Sequence, residues 1–155
     1  PNSRIQEDYL RIIRLLRFAF QYNSSNDKTT IDAIKTNLDG IKKISKERIF
    51  SELMKMLSLE NFENILNHPN KKNIFLLIFP ELKNLDRLIR LRKIKNHYKI
   101  TANNLLAILL IDKSDNYEYF AYKYNIANEL KKDHNFYAKL INDLGNFYFY
   151  LNLLC

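Results

Sequence analysis

The chain has one cysteine, two glycines and three prolines in 155 residues. The single thiol, Cys155, is the last residue, which excludes an internal disulfide and suits a reducing cytoplasm. A sheet-rich fold needs many tight turns, and turns consume glycine and proline. Their scarcity predicts an all-α protein with no sheet, its helices joined by loops rich in Asn, Ser and Lys. No apolar run reaches the roughly 18 residues that a membrane-spanning helix needs, and no signal-peptide pattern opens the chain. The expectation is a cytoplasmic protein with no membrane partner. Residue 1 is Pro rather than Met, so the chain is expected to be a piece of something longer.

What is present is a globular balance, 46% hydrophobic and 27% charged, with a formal charge of +8 and a pI of about 9.5. A basic chain of this size suits nucleic acid, an anionic surface or acidic partners. The charge is uneven: residues 1–60 carry 11 basic and 8 acidic side chains, residues 61–100 carry 9 and 3, and residues 101–155 carry 5 and 6. The basicity therefore lies in the middle third.

Periodicity and capping residues predict helices over 6–22, 28–39, 45–57, 60–67, 71–78, 84–97, 102–111, 117–123 and 126–143. Asp27, Ser45 and Thr101 read as N-caps. Gly40 reads as the glycine just past a helix end. Pro69 and Pro80 read as interruptions. Two modules are expected, 1–58 and 59–155. The aromatic tail Phe147-Tyr148-Phe149-Tyr150-Leu151 reads as a helix end packing on a core.

On a helical wheel, Ile5, Tyr9, Ile12, Ile13, Leu16 and Phe20 form one side of the first helix. Arg4, Glu7, Arg11, Arg14 and Arg17 form the other, with Asp8 at its margin and Phe18 in its middle. Two readings fit that charged side: a solvated face laced with i,i+4 pairs such as Glu7–Arg11, or a surface for an anionic, planar ligand.

The string Glu7-Asp8-Tyr9-Leu10-Arg11, continued by Arg14, Arg17 and Phe18, resembles the EDxxR motif and following RxxRF of CCA-adding enzymes and bacterial poly(A) polymerases, with Tyr9 where that family most often has Pro. Ile44-Ser45-Lys46-Glu47-Arg48-Ile49-Phe50-Ser51-Glu52-Leu53 resembles the family's later neck motif, and Phe79-Pro80-Glu81-Leu82 is similar to the FPEL where its body begins. The likeness covers about the first 82 residues. It implies that module 1–58 is a base-recognising neck and module 59–155 an RNA-binding body. It also implies that Asp8 and Arg11 read the incoming nucleotide, that Glu7 supports them, and that Arg14 meets the triphosphate or sugar. Arg48 and Glu52 are expected to brace the neck against first-helix charges.

Hydrogen-bond chemistry agrees with that implied role. A carboxylate only accepts and a guanidinium only donates. Cytosine offers its N4 amino donor and N3 acceptor, and adenine its N6 amino donor and N1 acceptor, in the same sense. Uracil and guanine present the reverse order. One Asp/Arg pair therefore admits CTP and ATP and rejects the others.

The resemblance also implies a catalytic head, with paired carboxylates and Mg2+, as a partner upstream in the same chain or as a separate chain. This sequence has no Gly-Ser loop followed by Asp-x-Asp; Asp112 and Asp115 read as solvated turn residues, and His68, His97 and His134 lack metal-ligand spacing. The expectation is no catalytic or metal site and no cofactor bound by this chain. The basic stretch with Arg87, Arg90, Arg92, Lys93 and Lys95 is assigned to RNA phosphates, as at a tRNA 3′ end; an ordinary solvated basic face is the other reading. CCA addition, partial addition, poly(A) addition, and a non-enzymatic module binding RNA or protein all remain open.

Overall fold

A computed structural model describes residues 2–24, 28–94 and 99–154 of the chain. Among them the fold is all-α, with no strand. The helices are α1 (Asn2–Glu7), α2 (Leu10–Gln21), α3 (Lys28–Thr36), α4 (Lys46–Leu57), α5 (Pro69–Ile78), α6 (Arg87–Ile94), α7 (Ala102–Leu110), α8 (Asn116–Tyr124) and α9 (Asn128–Leu154). Two 3-10 segments, Leu38–Lys43 and Phe62–Asn67, precede and follow α4.

The apolar periodicity works as expected at the centre. Ile12, Ile13, Leu16 and Phe20 of α2 are buried, as are Ile49, Leu53, Met56 and Leu57 of α4, and the two helices pack together. The hydroxyl of Ser45 accepts the Arg48 N–H at 3.4 Å and starts α4. Thr101 and Asn104 form a reciprocal capping box at the start of α7.

Four local expectations are corrected. The helix expected over 6–22 is two helices, broken at Asp8 and Tyr9. Gly40 does not sit past a helix end in a left-handed conformation; no glycine has positive φ, and Gly40 lies inside the Leu38–Lys43 segment. Pro69 starts α5 as its first residue, where its missing N–H costs nothing. Asp112 is no mere solvated turn residue, because it takes hydrogen bonds from the Ser114 N–H and hydroxyl and pairs with Lys83 at 3.4 Å. Burial pushes its carboxyl up, but those donors more than offset it and hold it at about 2. The expected Asp27 cap and His97 lie outside the described residues, as do the side chains of the aromatic tail, whose backbone continues α9 to Leu154.

The buried side chains form one cluster running from Ile5 to Ala138 and crossing residue 58 without a gap. Within it the rings touch in sequence. Phe20 of α2 meets Phe62 at 5.8 Å, Phe62 meets Phe75 of α5 at 5.5 Å, and Phe75 meets Phe79 at 5.4 Å. Phe79 then meets Tyr124 of α8 at 6.3 Å, and Phe120 returns to Phe50 of α4 at 6.3 Å. Contacts of this kind add about 1 kcal/mol each beyond the area they bury. Burial and the nearby Glu81 carboxylate push the Tyr124 phenol up, out of its ordinary range. Glu81 itself is buried and paired with Lys123 at 2.7 Å, and its carbonyl accepts from the Asn116 amide at 2.7 Å. The Phe79-Pro80-Glu81-Leu82 motif thus fastens the end of α5 to α8.

His134 of α9 is 1% exposed, and neither ring nitrogen has a partner. Burial pulls its pKa below the ordinary 6.5, with Asp133 opposing weakly. A base held neutral in the fold stabilises it fully above its unfolded pKa and loses that contribution as pH falls below it. Melting temperature should therefore fall as pH drops through 6.5. His134→Leu, which removes two unsatisfied nitrogens, should melt no lower than wild type near neutrality. It should also show a flatter dependence on pH, and equal slopes in the two proteins would refute this account.

Candidate nucleotide and RNA interface

The break between α1 and α2 is built by Asp8. Its Oδ1 accepts the Leu10 N–H at 3.1 Å, capping α2, and its carbonyl accepts the Arg11 N–H at 3.0 Å. A short acidic side chain satisfies otherwise orphaned amides at a helix start in this way. The other carboxylate oxygen, Oδ2, pairs with Arg48 Nη2 of α4 at 3.4 Å. Each carboxylate oxygen accepts more than one hydrogen bond, and the Asp8 side chain is 32% exposed, so it keeps acceptor capacity toward solvent. Arg11, in the first turn of α2, is 42% exposed and meets Glu7 at 3.3 Å across the junction.

Behind this junction, three cations converge on one carboxylate. The Glu52 side chain is 3% exposed; it pairs with Arg17 at 3.0 Å, Lys55 at 3.0 Å and Arg14 at 3.6 Å. Burial pushes the Glu52 carboxyl up, but hydrogen bonds from Lys55 and Arg17 and their charges outweigh it, so its pKa lies below the ordinary value. Arg17 also lays its guanidinium 4.4 Å from the Phe18 ring centre. Phe18 is exposed and stacks on Tyr22 at 6.1 Å.

Beside Arg11 lies a cleft of about 340 Å³ lined by Arg4, Ile5, Arg11, Arg14, Leu15, Phe18 and Thr30. Three guanidinium groups with an aromatic wall suit an anionic ligand that has a flat ring. The structure thus brings Arg11 and Arg14 together on the cleft. Asp8 stands at the junction outside the lining, turned toward Arg48. Thr30 of α3 enters through packing against α1; nothing in the local sequence around it carries that signal.

The five cations assigned to RNA separate into groups. Arg87 is committed to the protein: its Nη1 donates to the carbonyls of Ile108 at 2.7 Å and Ile111 at 2.5 Å, closing the end of α7. Arg92 donates to the Glu63 carbonyl at 2.9 Å. Arg90 is exposed and only loosely paired with Asp86 at 3.9 Å, and Lys93 is exposed. Lys95 lies outside the described residues. Sequence reasoning missed Lys71, which is buried and donates to the Ala19 carbonyl at 2.9 Å, near the partially negative end of α2. Burial pulls its pKa down. Among the described residues no three His, Cys, Asp or Glu side chains converge as a metal site.

Comparison with known proteins meets this geometry. Residues 27–85 match a family described as "Probable RNA and SrmB- binding site of polymerase A". A CCA-adding enzyme of Staphylococcus aureus (strain bovine RF122 / ET3-1) is 32% identical over 146 residues, covering 94% of this chain and 35% of the relative. The CCA-adding enzyme of strain MRSA252 is 33% identical over 143 residues, covering 92% and 34% respectively. All-α among its described residues, the chain belongs to the CCA-adding enzyme and bacterial poly(A) polymerase family. It spans about a third of the length of the curated relatives it matches.

Replacing Glu52 by Gln should cost about 3 kcal/mol in urea denaturation, because Arg17 would be left half-neutralised in the core. A carboxylate with a depressed pKa stabilises the fold above its unfolded pKa and loses that contribution as pH falls through the folded value. The gap between the two proteins should accordingly narrow only below pH 4.5. A variant as stable as wild type at pH 7 would show that the three cations do not depend on Glu52.

Proposed function

We propose that this chain supplies base selection and RNA holding to a template-independent RNA nucleotidyltransferase that adds C and A to RNA 3′ ends, a tRNA end first among them. The observation that carries the reading is the placement of Asp8 and Arg11. One carboxylate and one guanidinium, both partly exposed, flank the α1–α2 junction, and Arg11 also lines the cleft with Arg4, Arg14 and Phe18. An incoming cytosine or adenine gives its amino hydrogens to the spare acceptor capacity of Asp8 and takes a hydrogen bond from Arg11. Uracil and guanine set a carbonyl against the carboxylate. Arg14 and Arg4, both on the cleft lining, meet the triphosphate. The relatives' name, CCA-adding enzyme, supports this choice of bases.

Phosphoryl transfer belongs, in this reading, to a head that holds the Mg2+ and the acidic residues; alone, this chain is inactive. RNA contact falls to the exposed cations Arg90 and Lys93 rather than to Arg87 and Arg92. The family description names polymerase A, which favours A-only addition as the second reading; the same Asp/Arg pair accepts adenine, and CTP incorporation separates the two.

The test combines the chain with a head domain from the family, RNA lacking its 3′ end, and each nucleotide separately. CTP and ATP should be incorporated, and UTP and GTP should not. Because Asp8 also caps α2, Asp8→Asn is the sharper variant: its carbonyl keeps the cap while its amide turns a donor toward the base. It and Arg11→Ala should each cost between about fivefold and a hundredfold in CTP use, the equivalent of about 1–3 kcal/mol per bidentate contact. Activity indifferent to both variants would end the proposal. Neutralising Arg90 and Lys93 together should weaken RNA binding for every sequence and lower its salt slope by about 2; an unchanged slope would remove those residues from the interface.

A further inference from the structure

We infer that Tyr9 and Gly40 form a ring-and-socket contact that sets the position of Asp8, making Tyr9 a positioning residue for nucleotide choice. This inference rests on the base-reading proposal above.

Gly40 is buried within the 3-10 segment Leu38–Lys43, where glycine's extra backbone freedom is only a cost. Its φ is not positive, so no left-handed turn demands it. Space does. A Cβ at residue 40 would overlap the Tyr9 ring at Cγ, Cδ1 and Cε1, atoms of a rigid plane joined through a single methylene to the backbone that leads into α2. The ring cannot swing aside as the tip of a long flexible chain would. Lys43 of the same segment holds its ammonium 5.5 Å from the ring centre.

Tyr9 is the N-cap position of α2, between Asp8, whose carboxylate accepts the first amide of the helix, and Leu10. Leu10, immediately after it, is buried. The ring therefore fixes the junction at the one residue adjacent to Asp8. The segment that holds the ring is itself fixed. The Asn37 amide donates to the Ala33 carbonyl at 2.8 Å, and the Gly40 N–H donates to the Asn37 carbonyl at 2.9 Å. The same segment runs through Ser45 into α4, whose Arg48 holds the second oxygen of Asp8. Asp8 is thus clamped from two sides by one stretch of chain, through its neighbour's ring and through its own carboxylate. Tyr9 touches no nucleotide in this arrangement; it acts through Asp8.

The test uses the whole chain in three forms: wild type, Gly40→Ala, which displaces the ring, and Tyr9→Ala, which removes it. The first readout is hydrogen exchange at the Leu10 amide, which reports its bond to Asp8 Oδ1. Each variant should lower its protection by about tenfold, the loss of one such hydrogen bond. If Gly40→Ala fails to fold, Tyr9→Ala, which adds no atom to the socket, carries the same readout. The second readout is the ratio of CTP to UTP incorporation with the head supplied, which a merely structural contact would leave alone; both variants should lower it. Full Leu10 protection in Tyr9→Ala, or a CTP to UTP ratio that stays put while protection falls, overturns the inference; the Asp8→Asn variant then decides the base-reading proposal separately.

Discussion

The arrangement of this face depends on one buried carboxylate. Three cations, Arg14, Arg17 and Lys55, approach Glu52 from two helices. Without it, α2 would bring two guanidinium groups against α4 with no counter-charge. With it, the same arginines become a means of holding α2 at a fixed angle to α4. Arg17 is almost wholly consumed in the pairing; Arg14 is only partly so and still lines the cleft. Glu52 thus divides the arginine stripe of α2 into a member that fastens helices and members left on the cleft lining. The cost of burying such a group is recovered only because two of its partners also donate hydrogen bonds.

The two ends of the Asp8 side chain show a related economy. One oxygen caps a helix and the other bridges to α4, so the residue assigned to a base is also what breaks the first helix in two. A carboxylate with both oxygens tethered has few orientations to lose when a ligand arrives. This is the kind of preorganisation that lets a single side chain discriminate between bases.

Much of this was legible in the residues. The scarcity of glycine and proline announced an all-α fold, and the apolar periods of α2 and α4 placed their buried faces. The motif around Arg48 and Glu52 pointed to charges facing the first helix. What was not legible came from partners far away in sequence. Gly40 was visible as a glycine, but a sequence does not say whether glycine serves for its φ or for its missing Cβ; here the answer lay in Tyr9, thirty-one positions earlier. Arg87 and Arg92 were visible as cations, but whether a guanidinium is spare or spent on a carbonyl depends on where the end of α7 and the Phe62–Asn67 segment lie in space. The Asp8 break was masked because a capping aspartate between two helical patterns leaves the apolar period uninterrupted.

The ring-to-ring path from Phe20 to Tyr124 has a consequence for any attempt to divide the molecule. Motif content separates a front part from a back part near residue 58, yet Phe62, Phe75 and Phe79 from the back complete the interior that Phe20 and Phe50 begin. A protease that nicked the connection after α4 would split that interior, each fragment carrying away one wall of it. The described residues thus share one aromatic interior beneath two kinds of surface, and a graft of the front motifs onto another protein would need to bring the phenylalanines of the back with it.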